Sequence, residues 1–260
     1  MSTMAGGARD ARGVADRLLA VLDAFDQGGD GVLGLAEIAA RADLPESTAH
    51  RLIARLVEWG GLERVPGGYR LGLKLWRLGT RQPTTRALRQ VALPYLEDLL
   101  ELTRQNVQLA VRDGLAALYL ERLMARDSVV VLADIGRRLP LHATGVGLVL
   151  LAFGGPGLLS EVLAAEPRRY LPATTATAAA LTPRLAAIRR EGIVRTRDEM
   201  TPGSASIAAP LRDGTGTVVA ALSIIVPSDR PFDPAHELAV RLAAAGISRE
   251  LAGGRAAPTE

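Results

Sequence analysis

Apolar positions in the first ninety residues recur with helical spacing. In Ala15 to Phe25 (ADRLLAVLDAF), Leu18, Leu19, Leu22 and Phe25 fall on one stripe and predict a helix facing a core. Leu35 to Ala42 (LAEIAARA) predicts a second, short helix, and Asp43, Leu44 and Pro45 a tight break after it. The chain then reads PESTAHRLIARLVEWGGLERVPGGYRLG over 45–72. At 100° per residue, Ala49, Leu52, Ile53 and Leu56 gather on one side of a third helix. Ser47, His50, Arg51, Ala54 and Glu58 take the other, with Thr48 and Arg55 on the flanks. Two short helices about a tight break predict a helix-turn-helix. Gly60 and Gly61 suit a left-handed cap. Leu62 to Val65 and Tyr69 to Leu71 predict a hairpin around Pro66-Gly67-Gly68, with Val32 and Leu33 able to add a short strand.

From Asn106 onward the period changes. Val107 to Val111, Ala117 to Leu123 and Val129 to Ala133 read as strands, with Gly114 turning between the first two. Gly147 to Phe153 reads as an apolar helix, and Thr182 to Arg190 as a helix with Pro183 in its first turn. Strands follow at Ile193 to Thr196, Ser206 to Leu211 and Val218 to Val226, with Asp213-Gly214 as a hairpin turn. Pro234 to Leu251 predicts a final amphipathic helix. Strands arriving in runs favour an α+β fold, an antiparallel sheet carrying helices, over a doubly wound one. At 260 residues the chain suits two domains.

Charge singles out the N-terminal part. Glu46 to Arg89 holds nine basic and three acidic residues, a net +6, while the remainder holds 22 basic and 25 acidic, a net −3. A basic segment in a near-neutral chain predicts a polyanion-binding patch. A helix lying in the DNA major groove needs short side chains for close approach and Arg or His for base edges and phosphates. Ser47, Thr48, His50, Arg51 and Arg55 meet that need, and Arg64, Tyr69 and Arg70 on the hairpin are placed to reach the backbone.

Other chemistry is thinner. There is no Cys, and His50, His142 and His236 are scattered, so no metal site or cofactor is expected. Asp26, Asp30, Gly31, Leu33 and Glu37 fit positions 1, 5, 6, 8 and 12 of a calcium loop. Gly28 and Gly34 at positions 3 and 9 supply no side-chain ligand, so a polar turn is expected there. No nucleophile elbow, P-loop or zinc-protease motif occurs, and GTGTVV at 214–219 lacks the third small residue of a dinucleotide loop. His142 is the best base for a hydrolase-like alternative, against a structural role beside a pocket. LHATGVG places Thr144, Gly145 and Gly147 where a helix begins, so free N–H groups there can receive a carboxylate, or Thr144 can simply cap the helix. No apolar run reaches the roughly 20 residues of a membrane span, and a cytoplasmic location is expected.

STAHRLIARLVEWGGLER followed by GGYRLG resembles the winged helix-turn-helix of the isocitrate lyase regulator (IclR) family of bacterial transcription factors. The similarity continues through ALPYLEDLLELTRQNVQLAVRDG (92–114), LPLHATGVGLVLLAF (139–153), GIVRTRDEMTPGSASIAAPLRD (192–213) and VVAALSIIVP (218–227). It implies a DNA-binding domain at 13–75, a linker helix at 76–95 that pairs subunits and a GAF-like effector domain at 96–252; the ends, 1–12 and 253–260, are expected to be flexible. It implies a homodimer or dimer of dimers on double-stranded operator DNA. Dimerisation also suits the physics, since one recognition helix covers only a few base pairs. By the resemblance, Leu141, Ala143, Thr144, Gly145 and Val146 line one wall of an effector pocket, and Thr196, Glu199, Ser206 and Ser223 belong to the other. Ser206 stands where many members carry Cys, Leu148 where Lys is common, Ile225 where some small-acid binders have Ser and Thr196 where some have Asp. These departures move the expected effector from a small organic acid toward an apolar or aromatic one. A regulator without an effector is the alternative.

Overall fold

The computed structural model describes residues 13–27, 31–126, 128–129 and 134–253. The chain forms two compact units, one through Pro83 and one from Thr84.

The first unit opens with α1 (Val14–Asp23) and a 3-10 turn (Ala24–Gln27), followed by α2 (Leu35–Arg41) and α3 (Glu46–Trp59). Its core gathers Val21, Ala24, Ile38, Ala49, Leu52, Ile53 and Leu56. All four apolar positions predicted for the inner side of α3 are therefore buried. Leu19 departs from expectation: it is 54% exposed, because α1 and the 3-10 turn after it direct Val21 and Ala24 to the core, with Leu18, Leu22 and Phe25 only packed against it. Asp43, at φ 52°, turns the chain between α2 and α3. Gly60 ends α3 at φ 82°, a backbone that favours glycine, and Gly61 N–H returns to Leu56 O at 2.8 Å. The hairpin of β1 (Leu62–Val65) and β2 (Gly68–Leu71) follows, and Leu33 adds a bridge to Tyr69 through two 2.9 Å hydrogen bonds. Helix α4 (Leu73–Gly79) closes the unit. The calcium-loop positions Gly28 and Asp30 lie outside the described residues, and Glu37 is engaged by Arg41 at 2.6 Å.

The helix expected over 76–95 is two helices. α4 stops at Gly79, and α5 runs from Pro83 to Thr103, with Pro83 as its first residue.

In the second unit, β3 (Asn106–Asp113), β4 (Ala116–Leu123) and β5 (Arg138–Pro140) lead through a 3-10 turn (Leu141–Ala143) into α6 (Gly145–Phe153). Then come α7 (Leu158–Ala164), α8 (Ala178–Glu191), β6 (Val194–Arg197), β7 (Ser204–Arg212), β8 (Val218–Pro227) and α9 (Pro234–Gly253). The six strands form one antiparallel sheet in the order β5-β4-β3-β8-β7-β6. One face packs against α5 and α9 through Leu96, Leu109, Leu222, Ile224, Val240 and Ile247; the other packs against α6 to α8 through Ala110, Tyr119, Leu148, Leu151, Leu185 and Ile188. A bulge at Leu109/Ala110 pairs these residues with Glu121 and Tyr119. Tyr119 thus faces α6, while Glu121 pairs with Arg89 of α5 on the other face.

Some local expectations shift. Helix α8 starts a turn earlier than predicted, so Pro183 lies inside it. Val129 is not in a strand, and its carbonyl accepts from Asn106 Nδ2 at 2.8 Å; the rest of the strand expected there, 130–133, lies outside the described residues, as do 1–12 and 254–260. Among the described residues no helix is long and apolar enough to cross a membrane.

Candidate functional site

Burial of Ala49, Leu52, Ile53 and Leu56 leaves the opposite side of α3 to solvent. Ser47, His50, Arg51 and Arg55 are exposed there and Thr48 is half-buried. Arg55 forms an exposed pair with Glu58 at 2.9 Å. On the hairpin, Arg70 faces Glu63 across the strands and binds it at 2.8 Å. The Arg70 guanidinium, and then the Leu73 amide, hold the Glu63 carboxyl below the usual carboxylate range. Tyr69 differs from expectation: its side chain is 7% exposed and belongs to the core. Its hydroxyl accepts from Arg64 at 3.0 Å, and the Arg64 guanidinium sits 5.5 Å from the ring centre. Tyr69 therefore positions Arg64 and presents little surface of its own. Lys74, over the Trp59 ring, donates to the Trp59 carbonyl at 2.9 Å and stabilises the end of α3. The result is a helix face of short and cationic side chains beside a hairpin with two arginines, the shape and charge that a groove and its phosphates require.

A cavity of about 50 Å³ lies in the second unit between the sheet and the start of α6, room for a few waters. Ala143, Thr144, Gly145 and Val146 form one wall; Thr196, Glu199, Ser206 and Ser223 belong to the other. Eight of the nine residues expected here are thus brought together. Leu141 is not among them: it is fully buried in the apolar cluster under α6.

Thr144 caps α6, its hydroxyl accepting from Gly147 N–H at 3.1 Å, while it also lines the cavity. The first two amides of α6, Gly145 and Val146, have no acceptor within the helix. Gly145 permits the close approach of helix to sheet, since a Cβ there would lie 2.2 Å from Ser206 Oγ. Across β6 and β7, Thr196 Oγ1 and Ser206 Oγ are 2.6 Å apart, and Ser223 Oγ donates to Gln108 Oε1 at 3.4 Å.

Glu199 is the one charged side chain lining the cavity among the described residues. It is 5% exposed, and Arg184 of α8 holds both its oxygens, at 2.5 and 2.7 Å. Gln108, Tyr119, Leu139, Met200, Thr201 and Ser204 complete much of the lining. Burial pushes the Tyr119 phenol far above the usual tyrosine range, and the Thr144 hydroxyl offsets part of this. Gln108 had a sequence signal, a polar residue alternating with Val107 and Leu109 in a strand buried on both faces; Tyr119 had none, because the bulge sets its facing. His142, the candidate base, is buried, and its Nε2 donates to the Arg168 carbonyl at 2.9 Å. It does not line the cavity.

Residues 83–249 match the family described as bacterial transcriptional regulator IclR C-terminal, and residues 14–66 match the IclR helix-turn-helix domain. The HTH-type transcriptional regulator BhcR of Paracoccus denitrificans is 34% identical over 258 residues, covering 96% of this chain and 90% of its own. The HTH-type transcriptional regulator XynR of Escherichia coli is 33% identical over 221 residues, covering 84% and 87%. Among solved structures, an IclR homologue from Microbacterium hydrocarbonoxydans in complex with 4-hydroxybenzoate superposes with a TM-score of 0.86 at 38% identity, over 93% of this chain and 100% of that one.

Proposed function

Because the chain belongs to the IclR family of bacterial transcriptional regulators, we propose that it binds operator DNA as a homodimer or a dimer of dimers and that an aromatic or other organic acid in the second unit controls that binding. The observation that carries the DNA reading is the exposed face of α3, where Ser47, His50 and Arg51 stand opposite a fully buried inner side. Ser47, His50 and Arg51 read base edges; Thr48, Arg55, Arg64 and Arg70 meet phosphates. One such helix reads few base pairs, so two copies are needed for a long site. Leu19, Leu73 and Trp76 leave 54%, 74% and 70% of their surface exposed in the first unit, apolar area that a second copy can cover.

The effector reading rests on the cavity and on the likeness to a homologue that holds 4-hydroxybenzoate. The Gly145 and Val146 amides at the start of α6 suit a carboxylate, and Tyr119, Gln108, Ser206 and Thr196 supply further hydrogen-bonding groups. A ring-sized ligand needs more room than a few waters, so its entry displaces Met200 and Thr201 on the connection between β6 and β7. Helix α5, whose residues directly follow the DNA-binding unit in the chain, carries the change. The effector stabilises one dimer geometry over another and so alters how two heads match the half-site spacing.

The test is fluorescence anisotropy of the purified protein with its own upstream intergenic DNA and a scrambled duplex of equal length, across a salt series. A preference of about a thousandfold or more, with a steep salt dependence, is expected. Equal weak binding to both duplexes would sink the proposal that this face recognises sequence.

A further inference from the structure

We infer that Arg184, which lies outside the cavity wall, sets the charge selectivity of the effector site through Glu199. The inference rests on the reading of the cavity as that site. Glu199 brings a carboxylate into a lining that holds no cation among the described residues. A carboxylate ligand entering such a space meets a like charge, and at a side chain as buried as Glu199 that repulsion is screened less than in bulk water. Arg184 cancels it. Its two terminal nitrogens bind the two Glu199 oxygens, and the same guanidinium donates to Thr175 Oγ1 at 2.9 Å and to the Arg195 carbonyl at 3.3 Å. The Glu199 backbone is fixed as well, since its carbonyl accepts from Thr174 Oγ1 at 2.5 Å. The cation is thus aimed by two further acceptors at a carboxylate that is itself held in place.

Two consequences follow for the ligand. An anionic effector is admitted because the Arg184–Glu199 pair is neutral as a unit. The ligand group that meets Glu199 must donate a hydrogen bond, because an Arg-bound carboxylate can only accept. The ligand class is therefore an acid that also carries a hydroxyl or amino donor. A hydroxylated aromatic acid belongs to it, and an acid whose hydroxyl is methylated does not. Arg184 acts through Glu199 and is a positioning residue.

Isothermal titration of the full-length protein with 4-hydroxybenzoate, 4-methoxybenzoate and neutral 4-hydroxybenzamide tests this. The wild type is expected to bind 4-hydroxybenzoate at least about tenfold tighter than 4-methoxybenzoate. Arg184→Gln should weaken 4-hydroxybenzoate at least about tenfold and 4-hydroxybenzamide less than about threefold, and Arg184→Gln/Glu199→Gln should restore the acid to within about fivefold of wild type. Equal loss of acid and amide without rescue would make Arg184 a mere brace and overturn the inference, as would unchanged binding in Arg184→Gln or a wild type that takes the amide and refuses the acid. Should Arg184→Gln fail to fold, Glu199→Gln is compared with the double variant. The retained cation should then favour the acid by about tenfold, and equality overturns the inference. A wild type that binds none of the three overturns the effector reading itself, and this inference with it.

Discussion

Thr196 Oγ1 and Ser206 Oγ face each other across β6 and β7 at 2.6 Å, a buried hydroxyl pair on the cavity wall. Each hydroxyl is the other's side-chain partner, so removing one deprives the other of it. Ser206→Ala is expected to cost about 1–3 kcal/mol of folding stability, while Thr196→Val with Ser206→Ala should cost less than either change alone implies, because no orphan remains. Urea melts of the four proteins measure the coupling. Strictly additive losses would show that the two hydroxyls do not depend on each other.

Gly145 brings the start of α6 against β7, and a methyl group there meets Ser206 Oγ at 2.2 Å but Ser206 Cβ and Ala208 Cβ only at 3.4 Å. Gly145→Ala should therefore destabilise by about 1–3 kcal/mol and disturb the α6 end of the cavity. Adding Ser206→Ala removes the closest atom and should recover part of the loss despite its own cost. Thermal melts decide the matter: a double variant no more stable than the sum of the single losses would place the conflict elsewhere.

Legibility in the sequence followed from how each element is buried. Helix α3 buries one face and exposes the other, so its period of 3.6 separated Ala49, Leu52, Ile53 and Leu56 from the outward residues without ambiguity. Helix α1 misled because its contact is centred on Val21 and Ala24, a stripe that only the packing of α2 and α3 selects over the one through Leu19. Pro183 suggested a helix start, yet the alanine-rich turn before it continues the helix and the packing of Leu181, Leu185 and Ile188 holds it. In the cavity, LHATGVG is readable as a local string, whereas Thr196, Glu199, Ser206 and Ser223 come only with the family resemblance. Tyr119 and Arg184 reach the site through a β-bulge and a helix distant in sequence, and no periodicity reports such contacts.

Tyr119 should leave an alkaline signature. Burial raises its phenol pKa in the folded protein, with partial relief from Thr144, so the folded state keeps a proton that the unfolded chain releases above about pH 10. The stability associated with the neutral phenol is complete below that pH and declines as pH rises toward the folded value, by up to about 1.4 kcal/mol per pH unit. Tyr119→Phe removes this decline. Tyr95, raised by its hydrogen bond to Glu250, adds its own decline to both proteins. Urea midpoints at pH 8 and pH 11 should therefore fall less in Tyr119→Phe than in wild type; equal falls would mean that the buried phenol is not what titrates.

Arginines on the exposed face of α3 and on the hairpin should separate by role. Arg51 lies on the exposed face of α3 between Ser47 and Arg55, the part of the helix proposed to face base edges. Arg55 and Arg70 are each tied to a neighbouring carboxylate, Glu58 and Glu63, in exposed pairs worth little by themselves and easily exchanged for a phosphate. Arg51→Ala is expected to cost about 1–3 kcal/mol on operator DNA and to lower the preference over scrambled DNA. Arg55→Ala and Arg70→Ala should weaken both duplexes alike and reduce the salt slope by about one each. Anisotropy titrations on the two duplexes at several salt concentrations separate these outcomes. If Arg51→Ala lost affinity equally on both, its contact would be with phosphate, and base readout would rest on Ser47 and His50.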